Sequence, residues 1–138
     1  KKELFKTSGG KYVAPQPLEN KFKESFFIEQ MMVIGDGRKF VSALIVPSFN
    51  NLKSWCEKSG IGNASSNEMI SNPKVLEKYQ QVVDEKNKEF GHTDQIKRFR
   101  LMPEEWTVPG GQLTPTMKLK RKVIIEKYRD LIEGMYKD

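Results

Sequence analysis

One cysteine and one histidine in 138 residues exclude much chemistry at the outset. Cys56 has no second cysteine to pair with, so an internal disulfide is ruled out and a reducing compartment fits best. On an apolar helical face it reads as core filler rather than a nucleophile. No Cys/His ligand set can be assembled, so no metal site is expected. His92 follows Gly91 in an expected loop and reads as ordinary surface polarity. It is the single base a Ser-His-Asp triad would have, and nothing marks a nucleophile for it. A Walker-type lysine loop and a Gly-x-Gly-x-x-Gly turn are both missing. No apolar run approaches the ~20 residues of a membrane-spanning helix, and Lys1 to Lys6 lack the apolar stretch of a signal peptide. The expectation is a soluble cytoplasmic domain, with peripheral membrane association left open for the protein it serves.

What the chain has is positive charge, unevenly spread. The net charge is +6, 30% of residues are charged, and mean hydropathy is −0.63. Residues 1–24 carry six Lys/Arg against three Glu, and residues 96–129 carry nine against three. Between them, residues 49–94 are nearly balanced, six against seven. A field concentrated at the two ends attracts polyanions: nucleotides, coenzyme phosphates, nucleic acid or anionic lipid. It does not choose among them.

The length suits one domain. Residues 7–17 are punctuated by Ser8, Gly9, Gly10, Pro15 and Pro17, and read as a loop running into a short helix with Pro17 in its first turn. Leu18 and Phe22 share that helix's buried face. Residues 26–34 and 39–46 predict a hairpin closed by a two-residue type I′ turn at Asp36-Gly37. Residues 40–46 are apolar on both faces, which predicts a central strand ended by Pro47. A helix is expected over 49–58, a loop over 60–71, and a long helix from Pro73 to about Phe90, stopped by Gly91. Ile96 to Met102 alternates as a strand with one wet face. Residues 103–112 form a loop. A last helix is expected from about Lys120 to Tyr136, burying Ile124, Tyr128, Leu131 and Met135. The class is α+β: a small mixed or antiparallel sheet flanked by three to four helices.

Two segments carry chemistry. Leu113 to Arg121 places Lys118, Lys120 and Arg121 between a Pro-Gly-Gly turn and an amphipathic helix. That suits a charged group that must reach a phosphate and then withdraw. At the other end stand Lys6, Ser8, Gly9, Gly10, Val13, Pro15 and Glu19. Together they resemble the C-terminal domain of AMP-forming acyl-CoA synthetases of the long-chain fatty acid type, members of the adenylate-forming superfamily. The first segment resembles the family's hinge and following glycine loop, with Lys2 at the hinge position and Pro17 in place of a common acidic residue. The second resembles the pattern Thr-x-x-Gly-Lys-x-x-Arg through Thr114, Lys118 and Arg121, with Met117 at the glycine position. A shift of two aligns Thr116 and Lys120 instead and loses the arginine. Gln95 to Phe99 resembles the strand before the lysine loop.

The resemblance implies a mobile lid: residues 1–17 hinge and glycine loop, 18–102 sheet and helices, 103–121 catalytic lysine loop, 122–138 terminal helix. It implies a large N-terminal partner domain holding most of the ATP and Mg2+ contacts, with a start at the hinge pointing to a chain cut from it. Such a fragment is expected to be inactive alone. The catalytic lysine is Lys118, with Lys120 the alternative. Ser8, Gly9, Gly10 and Lys11 would face coenzyme A, and Thr114 and Arg121 would support an anion. Fatty acid, ATP and coenzyme A are the implied substrates. Two other readings stay open. Lys97, Arg98, Phe99 and Arg100 interleave cations and an aromatic as single-strand nucleic-acid binders do. The acyl acceptor, alternatively, is a carrier-protein thiol.

Overall fold

The computed structural model describes residues 3–137, so Lys2, the expected hinge, lies outside the described residues. The chain runs β1 (Phe5–Lys6), β2 (Tyr12–Val13), α1 (Pro15–Phe22), β3 (Ile28–Ile34), β4 (Val41–Pro47), α2 (Phe49–Lys58), α3 (Ser66–Ser71), α4 (Pro73–Asn87), β5 (Ile96–Leu101), α5 (Arg121–Lys127) and α6 (Arg129–Met135). This is the α+β class expected.

The centre is a three-stranded mixed sheet of order β3-β4-β5, antiparallel between β3 and β4 and parallel between β4 and β5. All seven residues of β4 are buried, as its two-sided apolar pattern requires. Val41, Ala43 and Ile45 face a core with Leu52 and Cys56 of α2, Tyr79 and Val83 of α4, and Leu18 and Phe22 of α1. Leu44 and Val46 face a second core with Trp106, Leu113, Ile124, Ile132 and Met135. The sheet thus separates a helical side from a side built by the lysine-bearing loop and the last helices. Cys56 is fully buried, and that burial pushes its thiol up from the ordinary value, in keeping with inert filler. Among the described residues no helix is long and apolar enough to cross a membrane.

β5 departs from simple alternation. Ile96, Phe99 and Leu101 all join the helical-side core, although 96 and 99 differ in parity. A register shift against β4, where Val41 pairs with Ile96 and Ser42 with Arg98, makes Lys97 the extra residue. Arg98 then points to the opposite face.

Five expectations need correction. The β3–β4 connection is no two-residue type I′ turn. Ile34 pairs with Ser42, and Gly35–Arg38 closes a turn through Arg38 N to Gly35 O at 2.9 Å. Gly37 alone in it has positive φ, +70°, whereas type I′ needs both central residues there. β1 is tied to this wider turn by Gly37 N donating to Lys6 O at 2.9 Å. Second, the loop expected over 7–17 is shorter: Tyr12–Val13 is a strand and α1 opens at Pro15, with Pro17 in its first turn as expected. Third, 60–71 is not all loop. α3 forms behind a capping box in which Ser65 Oγ accepts from Glu68 N and Glu68 Oε1 accepts from Ser65 N. Replacing Ser65 by alanine is expected to cost about 1 kcal/mol, read from the denaturation midpoint.

Fourth, α4 ends at Asn87, short of Gly91, where the Asn87 side chain bonds both backbone groups of Ile96 at 2.9 Å. Last, the terminal helix is two. Tyr128, at φ −110° and ψ 26°, breaks it and stacks near Trp106 with centroids 6.3 Å apart. The break rotates α6 so that Ile132 enters the core and Leu131 stays 37% exposed.

Candidate functional site

The two sequence segments meet in space. Glu19, in α1, is 3% exposed. Its carboxylate accepts from Val33 N at 2.8 Å and from both terminal guanidinium nitrogens of Arg121 at 2.7 Å. Val33 lies on β3, an outer strand of the sheet, so Glu19 satisfies an edge amide while Arg121 neutralises Glu19. The Arg121 Nε donates to Glu3 at 3.0 Å. The resemblance implies a supporting phosphate or anion contact for Arg121; in this structure its donors go to these two carboxylates, and it anchors the start of α5. Glu19 was legible as a motif residue, but its partner was not, because they stand 102 positions apart.

Directly before that anchor lies the lysine turn. Leu113 and Leu119 form an isolated antiparallel bridge, Thr114 N donates to Lys118 O at 2.8 Å, and Lys118 N donates to Thr114 Oγ1 at 3.0 Å. Thr114 Oγ1 is also 3.1 Å from Thr116 Oγ1. Thr114 therefore shapes the turn. At its tip Met117 has φ +67°, the left-handed region where a Cβ is strained. Met117 is 58% exposed, and Lys118 and Lys120 are exposed too. Among the described groups neither lysine ammonium is in an ion pair. They differ in backbone setting. Lys118 belongs to the turn, whereas Lys120 N donates to Gln112 O at 2.8 Å and Lys120 forms the N-cap of α5.

The turn overhangs a polar cleft of about 360 Å³ lined by Gln16, Asn20, Lys23, Gln30, Lys118 and Arg121, among others. Apolar side chains around this end are left uncovered: Leu4 at 61%, Val123 at 44% and Ile125 at 40% exposed. If the left-handed conformation is a cost borne for geometry, Met117→Gly relieves it. The expected result is a stability gain of about 0.5–1 kcal/mol, since glycine's extra unfolded-state freedom offsets part of the ~1–2 kcal/mol strain. Urea denaturation measures it, and a loss would mean that the Met117 side chain packs usefully.

The glycine segment is the tip of the β1–β2 hairpin. Phe5 pairs with Val13 and Lys6 with Tyr12. Thr7 N donates to Lys11 O and Gly10 N to Thr7 O, both at 2.9 Å. Ser8, Gly9, Gly10 and Lys11 are exposed, and a Cβ on Gly9 or Gly10 would meet nothing within 4 Å. Gly10 has φ +87°, so glycine is needed there for conformation. Ser8 N, Gly10 N and Lys11 N are taken by Arg38 O, Thr7 O and Thr7 Oγ1, so Gly9 is the tip residue whose amide has no internal acceptor among the described residues.

The basic strand that suggested nucleic acid is occupied internally. Arg98 donates to Met135 O at 2.6 Å and Lys137 O at 3.0 Å, Lys97 Nζ donates to His92 O at 2.6 Å, and Arg100 donates to Phe99 O at 3.0 Å. Phe99 packs against the core. Its ring is half-buried and shares an open cleft with Lys97, Arg98 and Arg100.

The chain is similar to known proteins over nearly its whole length. A family profile described as AMP-binding enzyme C-terminal domain matches residues 3–138. The long-chain-fatty-acid–CoA ligase FadD15 of Mycobacterium tuberculosis is 36% identical over 137 residues, covering 99% of this chain and 23% of that protein. Human long-chain-fatty-acid–CoA ligase 1 is 33% identical over 139 residues, covering 99% of this chain and 20% of that protein. The chain therefore spans about a quarter or less of these relatives. The adenylation domain of the carboxylate reductase GR01_22995 from Mycobacterium chelonae shares the fold at a TM-score of 0.74 and 24% identity, covering 98% of this chain and 19% of that one. With a profile over nearly its whole length and relatives above 30% identity, this chain belongs to the family of AMP-binding enzyme C-terminal domains.

Proposed function

We propose that this domain is the lid of a fatty acid–CoA ligase and that Lys118 is its adenylation lysine. The observation that carries the choice of lysine is Met117. It occupies the position where the motif has glycine, and it adopts the φ of +67° that glycine favours. The unshifted register thus has a backbone reason, and Lys118 follows at the tip of an exposed turn held by Thr114.

In this reading the fatty acid carboxylate attacks the α-phosphorus of ATP. An oxygen–phosphorus bond forms, the bond to pyrophosphate breaks, and pyrophosphate leaves. Two anions must approach, and the Lys118 ammonium offsets their repulsion and stabilises charge on the transferring group. Arg121 and Glu19 hold the base of the turn, and Arg121 positions rather than contacts the reacting atoms. Among the described residues no group of three or more His, Cys, Asp or Glu side chains stands where it would hold a metal ion. In this reading Mg2+ and most of the ATP contacts belong to a large N-terminal domain, joined at the hinge Lys2. The uncovered Leu4, Val123 and Ile125 suit a surface that docks on that domain.

After rotation the Ser8-Gly9-Gly10-Lys11 tip faces the coenzyme A thiol's approach. The sulfur–carbon bond forms, the acyl–phosphate bond breaks, AMP leaves and the thiol proton passes to solvent. Free coenzyme A as the acceptor goes with the curated relatives, which are long-chain-fatty-acid–CoA ligases at 33–36% identity. A cytoplasmic setting, where ATP and coenzyme A are found, goes with this reading. The test is Lys118→Ala in the ligase carrying this domain, with each half-reaction assayed separately. Loss of both steps together, or of neither, sinks the assignment.

A further inference from the structure

The glycine hairpin does not hold itself in place. β1 and β2 are two residues each, far below the size of a stable isolated hairpin. What fixes them is the β3–β4 turn. Gly37 N donates to Lys6 O and Ser8 N donates to Arg38 O, each at 2.9 Å. Phe5 lies across Gly35, where a Cβ would stand 2.6 Å from the ring.

That turn is gripped in turn by the end of the chain. The Arg38 guanidinium forks onto both carboxylate oxygens of Glu133 in α6, one of them at 3.1 Å, and lies 4.8 Å over the Tyr136 ring. Tyr136 stacks on Phe40 with centroids 4.6 Å apart, donates to Phe40 O at 2.8 Å and lies 2.7 Å from Ser42 Oγ. On the far side Arg98 sits 4.9 Å over Phe40 while its donors close the C-terminal carbonyls of α6. The hydrogen bond from Arg38 holds the Glu133 carboxyl below the ordinary carboxylate range, so the pair stays charged at neutral pH.

We propose that Arg38 is a positioning residue for thioester formation: clamped between Glu133 and Tyr136, it fixes the carbonyl that orders Ser8 and so aims the glycine loop. This rests on the reading of that loop as the coenzyme A-facing element. Thr7 and Lys11 close the hairpin on itself, Gly37 N on Lys6 O and Phe5 on Gly35 hold its base, and the Arg38 carbonyl is the contact from the β3–β4 turn that reaches Ser8 at the tip. Lys118 lies outside this chain of contacts, so adenylation does not depend on it.

The experiment uses the ligase carrying this domain with Arg38→Gln, Arg38→Lys and, as a direct loop variant, Gly10→Val. Hydrogen exchange by mass spectrometry follows a peptide spanning 5–11, with one spanning 28–34 as reference. Arg38→Gln is expected to speed exchange of the first about tenfold and leave the second unchanged. Acyl-CoA formation from a supplied acyl-adenylate should fall about tenfold, with pyrophosphate exchange intact and Arg38→Lys intermediate. Unchanged exchange in Arg38→Gln overturns the clamp. If Gly10→Val impairs thioester formation and Arg38→Gln does not, the clamp proposal fails alone and the loop reading stands. If Gly10→Val has no effect either, the loop reading fails and the clamp's role fails with it.

Discussion

Replacing Lys118 by alanine is expected to slow adenylation by roughly 10²–10³-fold, the usual loss when one preorganised charge on a transferring group is removed. Thioester formation from a supplied acyl-adenylate should stay within a few-fold. The asymmetry is the point. The lysine offsets repulsion between carboxylate and phosphate, and that repulsion exists only in the first step. Lys120→Ala is the matching control. It is exposed too, but its backbone is tied to Gln112 at the α5 N-cap rather than to the turn. It should cost little in either step. If the large loss appears at Lys120 instead, the shifted register of Thr116 and Lys120 is right and the strained Met117 has another cause. If both variants lose about tenfold in each step, the turn is a general anion-attracting surface, and salt should then abolish the difference from wild type.

Arg121→Met is expected to destabilise the domain by about 3–5 kcal/mol, the cost of leaving a buried carboxylate without its cation. At this size that is a fall in Tm of roughly 10 °C or more. Glu19 is 3% exposed and would keep only the Val33 amide. Two further variants separate charge from packing. Glu19→Gln retains an acceptor for Val33 N but faces Arg121 without charge, and should also destabilise. The double variant Glu19→Gln with Arg121→Met removes both charges while keeping that acceptor, and should recover part of the loss. If the double variant is as unstable as the sum of the singles, the pair matters through packing rather than neutralisation. Calorimetry decides. Because Arg121 follows Lys118 by three residues, weakened adenylation should accompany the single variants, while Lys118→Ala should leave stability within about 0.5 kcal/mol, as exposed substitutions do.

Some of this was written along the chain. β4 is apolar at consecutive positions, and such a run can only be satisfied with cover on both faces, which α2, α4 and the lysine-bearing side supply. The helices at Phe49 and Pro73 follow from apolar spacing and the proline. α3 was also legible, since Ser65 and Glu68 form a capping-box pair, but six polar-rich residues between glycines and asparagines read more naturally as loop. The break at Tyr128 was not legible. Apolar residues at 124, 128, 131 and 135 describe one good helical stripe, and only the contact with Trp106 shows why the helix turns there.

By itself, the order of residues determined the class of fold and two charged motifs at opposite ends, because periodicity and residue type act locally. Tertiary structure decided what the charges do. Arg121 looks like an anion ligand in isolation and is taken up by Glu19 because a buried carboxylate needs a cation near it. Lys118 stays outside, on a turn whose backbone holds Met117 at positive φ. Arg38 draws α6, the β3–β4 turn and the glycine hairpin together, 95 residues being folded back to bring Glu133 to it. Pairings at such separations follow from how the layers close over the sheet, and no local pattern records them.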